Sequence, residues 1–382
     1  MAVVRILHLH SSFNVGSQES RTVRLMNHFG DQAEHTVLSA VDDAFGAAGA
    51  LDRRVKVNFP KDAAPSLAGM PSMGRYRRLA GYMKKFHLVL SYNWQAMDGV
   101  MAHTLFTRSM NLPPLIHHED GFDHDEIERL KWHRNWFRTI ALQRTNALVV
   151  PSKTLEKIAR NIWHQPLDKI CRFPNGIDTD HFNRRPQRGA FPGYKKRNGE
   201  IVVGTIAGLR PVKNLPRLVR AVAAAGPNVR LAIAGEGPDR DAIMAEAGRL
   251  GIADRVMMPG FLRDTARYIR LFDIFALSSD SEQYPVSLVE AMTSALPIIS
   301  TDVGDVRNIV SRENRPYIVP RNDEDAFSSA IMALATDAAL REALGAANRL
   351  VACSQYDEET MFARYRQLYG SAMKRADFAR QS

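Results

Sequence analysis

At 382 residues the chain is too long for one ordinary hydrophobic core, so two domains are expected. Hydrophobic content of 45% with 24% charged residues is ordinary for a soluble globular protein. The net charge of +10 is unevenly placed: residues 1–200 hold 29 Lys and Arg against 19 Asp and Glu, whereas residues 201–382 hold 22 of each. Such asymmetry implies that the first half faces something anionic, nucleic acid or an acidic membrane surface. No zinc-finger spacing, RNP motif or basic recognition helix is present, which ranks nucleic acid second. Ile6, Leu7 and Leu9 are interrupted by His8 and His10, too short and polar for a secretory signal, and no apolar run approaches the roughly 18 residues of a membrane span. Cys171 and Cys353 lack metal or redox spacing and read as free thiols in a reducing cytoplasm.

In chain order, residues 3–9 read as a buried strand, followed by a polar turn from Ser11 to Ser17 and a helical pattern through Glu19, Val23, Met26 and Phe29. Strand, small-residue loop and helix open a doubly wound sheet. Gly16 with Ser17 can let backbone N–H groups meet a phosphate or acceptor at the helix start, or can simply form a turn. Residues 35–39 and 86–91 are further strands. Between them lies a basic, aromatic run with Arg75, Tyr76, Arg77, Arg78, Tyr82, Lys84 and Lys85, and a second runs from Lys131 to Arg138 with Trp132, Trp136 and Phe137. Either suits a membrane interface or anionic acceptor, or is a helix with aromatics inward and cations outward. Leu115–Phe122 passes from a strand into His117, His118, Glu119 and Asp120; consecutive strand residues alternate faces, which argues against one shared metal ion. Residues 147–151 form a strand, and Ser152 begins a helix with a capping box through Glu156. Asp178-Thr179-Asp180 has the look of a metal-binding D-x-D, discounted because its context has another explanation, and residues 183–200 read as a linker.

Strand, loop and helix then repeat. Residues 201–209 lead to Arg210 and Lys213 before a helix from about Leu215, two cations placed to hold a diphosphate or simply to meet water. Residues 229–237 run into a Gly-rich turn, and 256–262 into a loop. Strand 274–277 breaks into a polar run, a helix restarts at Pro285, and Pro297 ends it. Glu282 and Glu290 bracket that turn; eight residues of helix span roughly 12 Å, the length of a sugar plus diphosphate. One acid can accept hydrogen bonds from a sugar and the other from a ribose, although two solvated glutamates are the plain alternative. Ser354–Lys374 is helical, with Tyr356, Met361, Tyr365, Leu368 and Tyr369 at packing spacing.

The segment S-E-Q-Y-P-V-S-L-V-E-A-M followed by P-I-I-S-T-D-V-G resembles the C-terminal signature of the retaining glycosyltransferases of family 4, which have the GT-B fold. The resemblance implies that Glu282 and Glu290 are the family's E-x7-E pair, with Glu282 on the donor sugar and Glu290 on the ribose, and that Val286, Ser287 and Leu288 at the helix start contact the donor. Gln283 replaces the family's Gly. N-V-G-S-Q-E-S-R is similar to the G-G-x-E-R loop, with Ser17 at the second Gly. The residues around Gly121-Phe122 resemble the H-G-F loop, whose His aligns with Asp120, with His118 the alternative. Lys213 matches the Lys of G-R-L-x-x-x-K, while Gly208 stands at its Arg and Arg210 two residues later can substitute. Gly235 begins a G-x-G-P turn, and the loop through Phe261 and Leu262 is implied to cradle the base. Cys171–Phe182 is similar to the P-N-G-I-D segment.

The implied architecture is α/β: two Rossmann-like doubly wound domains facing a central cleft. Residues 1–185 would bind acceptor, 186–200 would link, 201–354 would bind nucleotide-sugar, and the helix over about 355–382 would return to the first domain. The implied activity is metal- and cofactor-free retaining transfer of a sugar from a UDP- or GDP-sugar to a saccharide or lipid-linked hydroxyl, in bacterial cell-surface polysaccharide or glycolipid synthesis. A cytoplasmic place, peripheral on an anionic membrane through the basic half, and no nucleic-acid partner complete the expectation. An epimerase of the same fold and a non-catalytic nucleotide-sugar-binding protein are the alternatives.

Overall fold

Two runs of parallel strands carry the architecture of the computed structural model, which describes residues 3–60, 63–122, 126 and 129–379. The chain divides into unit 1, residues 1–175 with 360–382, and unit 2, residues 176–359.

Among the described residues of unit 1, β1 (Val4–His10), β2 (Ala33–Ser39), β3 (Lys56–Asn58), β4 (Leu88–Tyr92), β5 (Leu115–His118), β6 (Ala147–Val150) and β7 (Ile170–Arg172) form one parallel sheet, in the order β3-β2-β1-β4-β5-β6-β7. Alternate strand residues feed opposite cores. Leu7, Leu9, Val89, Leu115 and Leu148 pack with α2 (Met73–Met83), α3 (Met97–Met110), α4 (Trp132–Ala141) and α5 (Lys153–Asn161). Ile6, Leu88, Leu90, Ile116 and Val149 pack with α1 (Ser17–Phe29) and with Met361, Phe362, Tyr365 and Tyr369 near the C-terminus.

Unit 2 repeats the plan with β8 (Ile201–Ile206), β9 (Val229–Ala234), β10 (Val256–Gly260), β11 (Ile274–Leu277), β12 (Ile298–Thr301) and β13 (Ile318–Val319), in the order β10-β9-β8-β11-β12-β13. Val203, Leu231, Ile274 and Ile299 face α6 (Leu215–Ala224), α7 (Arg240–Arg249) and α10 (Glu324–Thr336). Val202, Phe275 and Ile298 face the other core, which takes in α8 (Val286–Thr293), α9 (Val306–Ile309) and Ala352 of α11 (Ala338–Gln355). Strand order reverses between β1 and β4 in unit 1 and between β8 and β11 in unit 2, the switch points beyond which such sheets bind ligands.

Three local expectations change. Residues 186–200 are no free linker: Phe182 and Phe191 are buried against Tyr268 and Phe272, so 176–200 belongs to unit 2. The C-terminal helical stretch breaks at Tyr356, whose ring stays in the core of unit 2. α12 (Glu358–Ala372) follows, its buried aromatics supplying the core of unit 1, and α13 (Ala376–Ala379) ends the described chain. Ser152 does cap α5 by accepting from Leu155 N at 3.1 Å, but Glu156 turns to Arg172 Nε at 2.9 Å, because the third helical residue, where a box needs its acid, is Leu155.

Gly204 in β8 is a packing necessity, since a Cβ there would stand 2.1 Å from the Phe272 ring. Gly204→Ala is expected to lower stability by about 1–3 kcal/mol through overpacking. A urea midpoint that stays at the wild-type value would contradict this account of the contact between β8 and Phe272.

Candidate functional site

In unit 2, the loops after β8 and β11 are laced together at the switch point. Past β8 the chain makes a short turn, Pro211–Lys213, closed by Asn214 in the left-handed region at φ 43°, which Asn tolerates better than most residues. Ser278 Oγ donates to Lys213 O at 2.9 Å, Asp280 N to Val212 O at 2.8 Å, and Asn214 Nδ2 to the Asp280 carboxylate at 3.1 Å. Arg217 Nη1 reaches both Ser278 O and Asp280 Oδ1 at 3.0 Å. The lacing sets Lys213 Nζ 2.5 Å from Glu282 Oε1, to which Ser279 Oγ also donates at 2.7 Å. Behind them Gly304 has φ 56°, and a Cβ on it would stand 2.2 Å from Glu282 O, so the backbone of the acid is pinned from below.

Glu290 sits one turn into α8. Pro285 is the N-cap of that helix and Val286 its first residue, so helical rise applies only from Val286 onward and not across the whole interval from Glu282. Val286 and Ser287 are half-buried, while Leu288 is wholly in the core and offers a ligand only backbone. The sequence did not point to Tyr268, whose hydroxyl is pushed up in pKa by burial and by the neighbouring Glu290 carboxylate. The Arg210 arm lies over Gly208, its Nε 3.6 Å from where a Cβ on that glycine would stand, so the guanidinium fills space that the side chain of a family Arg at 208 would enter. Gly235, φ 150°, allows its turn to meet the β8 loop, since a Cβ would fall 1.9 Å from Ala207 O. In the next turn Glu236 Oε1 accepts from Phe261 N at 3.2 Å; the Phe261 ring is exposed and Leu262 is half-buried beside it.

In unit 1 the His-Glu-Asp run splits between faces: His117 Nε2 lies 3.7 Å from Glu119 Oε2, while His118 and Asp120 find other partners. His117 Nδ1 meets Ser91 Oγ at 2.9 Å, and Glu119 accepts from Arg138 Nε at 3.2 Å. His118 is only 1% exposed and stacks on Tyr92; its Nδ1 lies 3.2 Å from Ser91 O and its Nε2 3.3 Å from Tyr369 Oη. Burial, helped by Arg21, drives its pKa well below the usual value and keeps it neutral, so both ring nitrogens serve the core and none is presented to solvent. Asp120 stands at the sheet edge instead, both oxygens in the fork of Arg21 at 2.6 and 2.7 Å. Arg21 also donates to Asn175 at 2.7 Å, which ties the P-N-G segment to α1.

Asn93, after β4, is a second residue whose importance no motif signals. It holds φ 57° with ψ −173°, its side chain donates to Gln18, and its Oδ1 accepts from Asp120 N at 2.9 Å. Gly16 and Ser17 open α1 beside this cluster, with Ser17 exposed and the Glu19 side chain folded back against Gly16. Asp178 Oδ1 accepts from Asp180 N at 3.1 Å and His181 N at 2.8 Å, so in the D-x-D the first acid closes its own turn.

Burial pushes the Glu19 carboxyl up to about 7, with Asp120 adding to the shift. A raised folded pKa means that stability from the protonated form is complete below the unfolded pKa and is lost as pH rises toward 7. Glu19→Gln is therefore expected to gain melting temperature relative to wild type progressively between pH 4.5 and about 7, then level off. A difference that stays flat across that range would contradict the buried, protonated Glu19.

Comparison with known proteins follows the same division. Residues 18–181 match the family model described as Glycosyltransferase Family 4, and residues 188–351 that described as Glycosyl transferases group 1. N-acetyl-alpha-D-glucosaminyl L-malate synthase of Bacillus anthracis is 23% identical over 61% of this chain and 58% of its own length. UDP-Gal:alpha-D-GlcNAc-diphosphoundecaprenol alpha-1,3-galactosyltransferase of Escherichia coli is 23% identical over 76% of this chain and 77% of its own. Among solved structures, Anabaena HepE in complex with UDP superposes with a TM-score of 0.79 at 18% identity, over 96% of this chain and 100% of that one, a likeness of fold. The chain belongs to the family 4 glycosyltransferases, of GT-B fold.

Proposed function

We propose that this glycosyltransferase moves a sugar, with retention at the anomeric carbon, from a UDP- or GDP-sugar to a hydroxyl of a saccharide or lipid-linked acceptor. The observation that carries the reading is the Lys213–Glu282 pair at the switch point of unit 2, 2.5 Å apart and partly open to solvent. A diphosphate arriving there offers Lys213 more negative charge than one carboxylate, with Arg210 and the first N–H groups of α8 as further donors. Glu282, released from the lysine, then accepts from donor-sugar hydroxyls, and Glu290 from the ribose. Phe261 and Leu262 flank the base, with Gly208 and Gly235 allowing close backbone approach. In unit 1, Gly16 and Ser17 line the sheet edge and Asp120 takes the position of the family His, a role closed to the buried His118.

Among the described residues no carboxylate stands out as a covalent nucleophile, which supports same-face attack. The acceptor oxygen bonds to the anomeric carbon, the bond from that carbon to the phosphate oxygen breaks, and the departing diphosphate takes the acceptor proton. Lys213, Arg210 and the α8 N-terminus stabilise the charge developing on the leaving group, so we propose that the transfer needs no metal. The UDP complex of the structural neighbour and the UDP-Gal donor and diphosphoundecaprenol acceptor in the name of the Escherichia coli relative support a uridine donor and bacterial glycolipid or polysaccharide work. The basic first half supports a peripheral place on an anionic membrane, on the cytoplasmic side.

A thermal-shift panel of UDP-, GDP- and ADP-sugars tests the donor. One nucleotide-sugar is expected to raise the melting temperature, Lys213→Ala and Glu290→Ala to abolish most of that shift, and EDTA to leave it intact. No shift with any nucleotide-sugar, or a shift untouched by both substitutions, would overturn the assignment.

A further inference from the structure

Asn93 holds a backbone conformation that its place in the sheet does not require. Its N–H donates to His118 O at 2.9 Å, so it carries the pairing of β4 with β5 one residue past Tyr92. There the chain turns, with φ 57° and ψ −173°. Asn111 and Asn214 also have positive φ, but with ψ 59° and 49° both sit in the left-handed region that Asn tolerates. The combination at Asn93 lies at the border of a region that glycine alone enters without strain.

The side chain shows what holds that strain in place. Its Oδ1 accepts from Asp120 N at 2.9 Å, and its Nδ2 donates to Gln18 Oε1. One amide thus joins the loop after β4, the loop after β5 and the first turn of α1. A glycine would adopt this backbone freely, but Asp120 N and Gln18 Oε1 would lose these bonds. Asp120 has both carboxylate oxygens in the fork of Arg21, which is itself 1% exposed and also bonded to Asn175. The acid is therefore fixed at its side chain by Arg21 and at its backbone by Asn93. Asn93 and Asp120 are only half-buried, where a hydrogen bond exchanged against water adds little to stability. The strained residue serves placement more than stability.

We propose that Asn93 is a positioning residue for the sugar transfer: it holds the backbone of Asp120 so that the carboxylate stands at one place on the sheet edge, and the strain at Asn93 is retained for that purpose. The proposal rests on the transferase reading above, in which Asp120 takes the position of the family His. Because glycine relieves strain of this kind, removing the side chain separates stability from turnover.

Nucleotide release from UDP-glucose, UDP-galactose and GDP-mannose, with water in place of the acceptor, is measured on the full chain beside its melting temperature. Asn93→Gly is expected to melt at or above the wild-type temperature, whereas Asn93→Ala, which loses the same bonds and keeps the strain, melts lower. On the donor that the wild type turns over fastest, Asn93→Gly is expected to lower kcat at least about tenfold with KM within about twofold, because the donor still binds but meets a misplaced acid. In an Asp120→Asn background the same substitution is expected to lower the residual kcat by less than about twofold. Wild-type kcat in Asn93→Gly, a loss of kcat matched by a fall in melting temperature, or an equal loss with and without the Asp120 carboxylate would overturn the proposal. Failure of the transferase reading shows separately, as a wild type with neither nucleotide release nor a nucleotide-sugar thermal shift.

Discussion

The contact on which unit 2 turns is the ion pair between Lys213 and Glu282. Left in water, such a pair contributes little, and a cation and a carboxylate on separate loops have no reason to meet. Here Ser278, Asp280, Asn214 and Arg217 tie the two loops together, and Gly304 fixes the backbone beneath the acid. The loops therefore hold opposite charges in register at the one edge position where a doubly wound sheet has room for a ligand. The proposed donor reading uses this pair by exchange: a diphosphate replaces the carboxylate as the anionic partner of the lysine.

Unit 1 follows a different constraint. Its first strands carry histidines that burial keeps neutral: His10, stacked 4.1 Å from Tyr92, is held at a pKa of about 3, and His8 and His118 are likewise lowered by their surroundings. These rings form a packed aromatic layer with Tyr365 and Tyr369, brought from the far end of the chain. The polar chemistry is displaced to the rim, where Arg21, Asp120, Asn93 and Gln18 hold one another. Such a layer gives a packed floor beneath the loops that carry Asn93 and Asp120.

Much of this was legible from residue order. The buried strands stood out as apolar runs between small-residue turns, and the E-x7-E segment resembled its family in both spacing and context. What was not legible depends on the third dimension. Whether His118 or Asp120 stands open at the loop turns on where β5 ends: His118 is its last residue and is buried, whereas Asp120 lies two residues beyond the strand, at the edge. The exposure of Trp132 and Trp136 follows from Arg138 pairing with Glu119, a partner on another element that periodicity cannot see. Tyr268 and Asn93 matter through what they lie against, and no motif marks them. Residues 186–200 read as a linker because charge and Gly/Pro content outweighed Phe191 and Tyr194, which pack them on the core of unit 2.

The most direct test of the central claim is calorimetric titration of UDP into the full chain as wild type, Lys213→Met and Glu282→Gln. If the carboxylate holds a cation that the diphosphate then takes over, Lys213→Met weakens UDP binding about tenfold or more, near 1.4 kcal/mol, while Glu282→Gln binds UDP at least as tightly as wild type. Loss of UDP affinity in Glu282→Gln as large as that in Lys213→Met would contradict it, and would make the pair a structural tie instead of a site waiting for its phosphate.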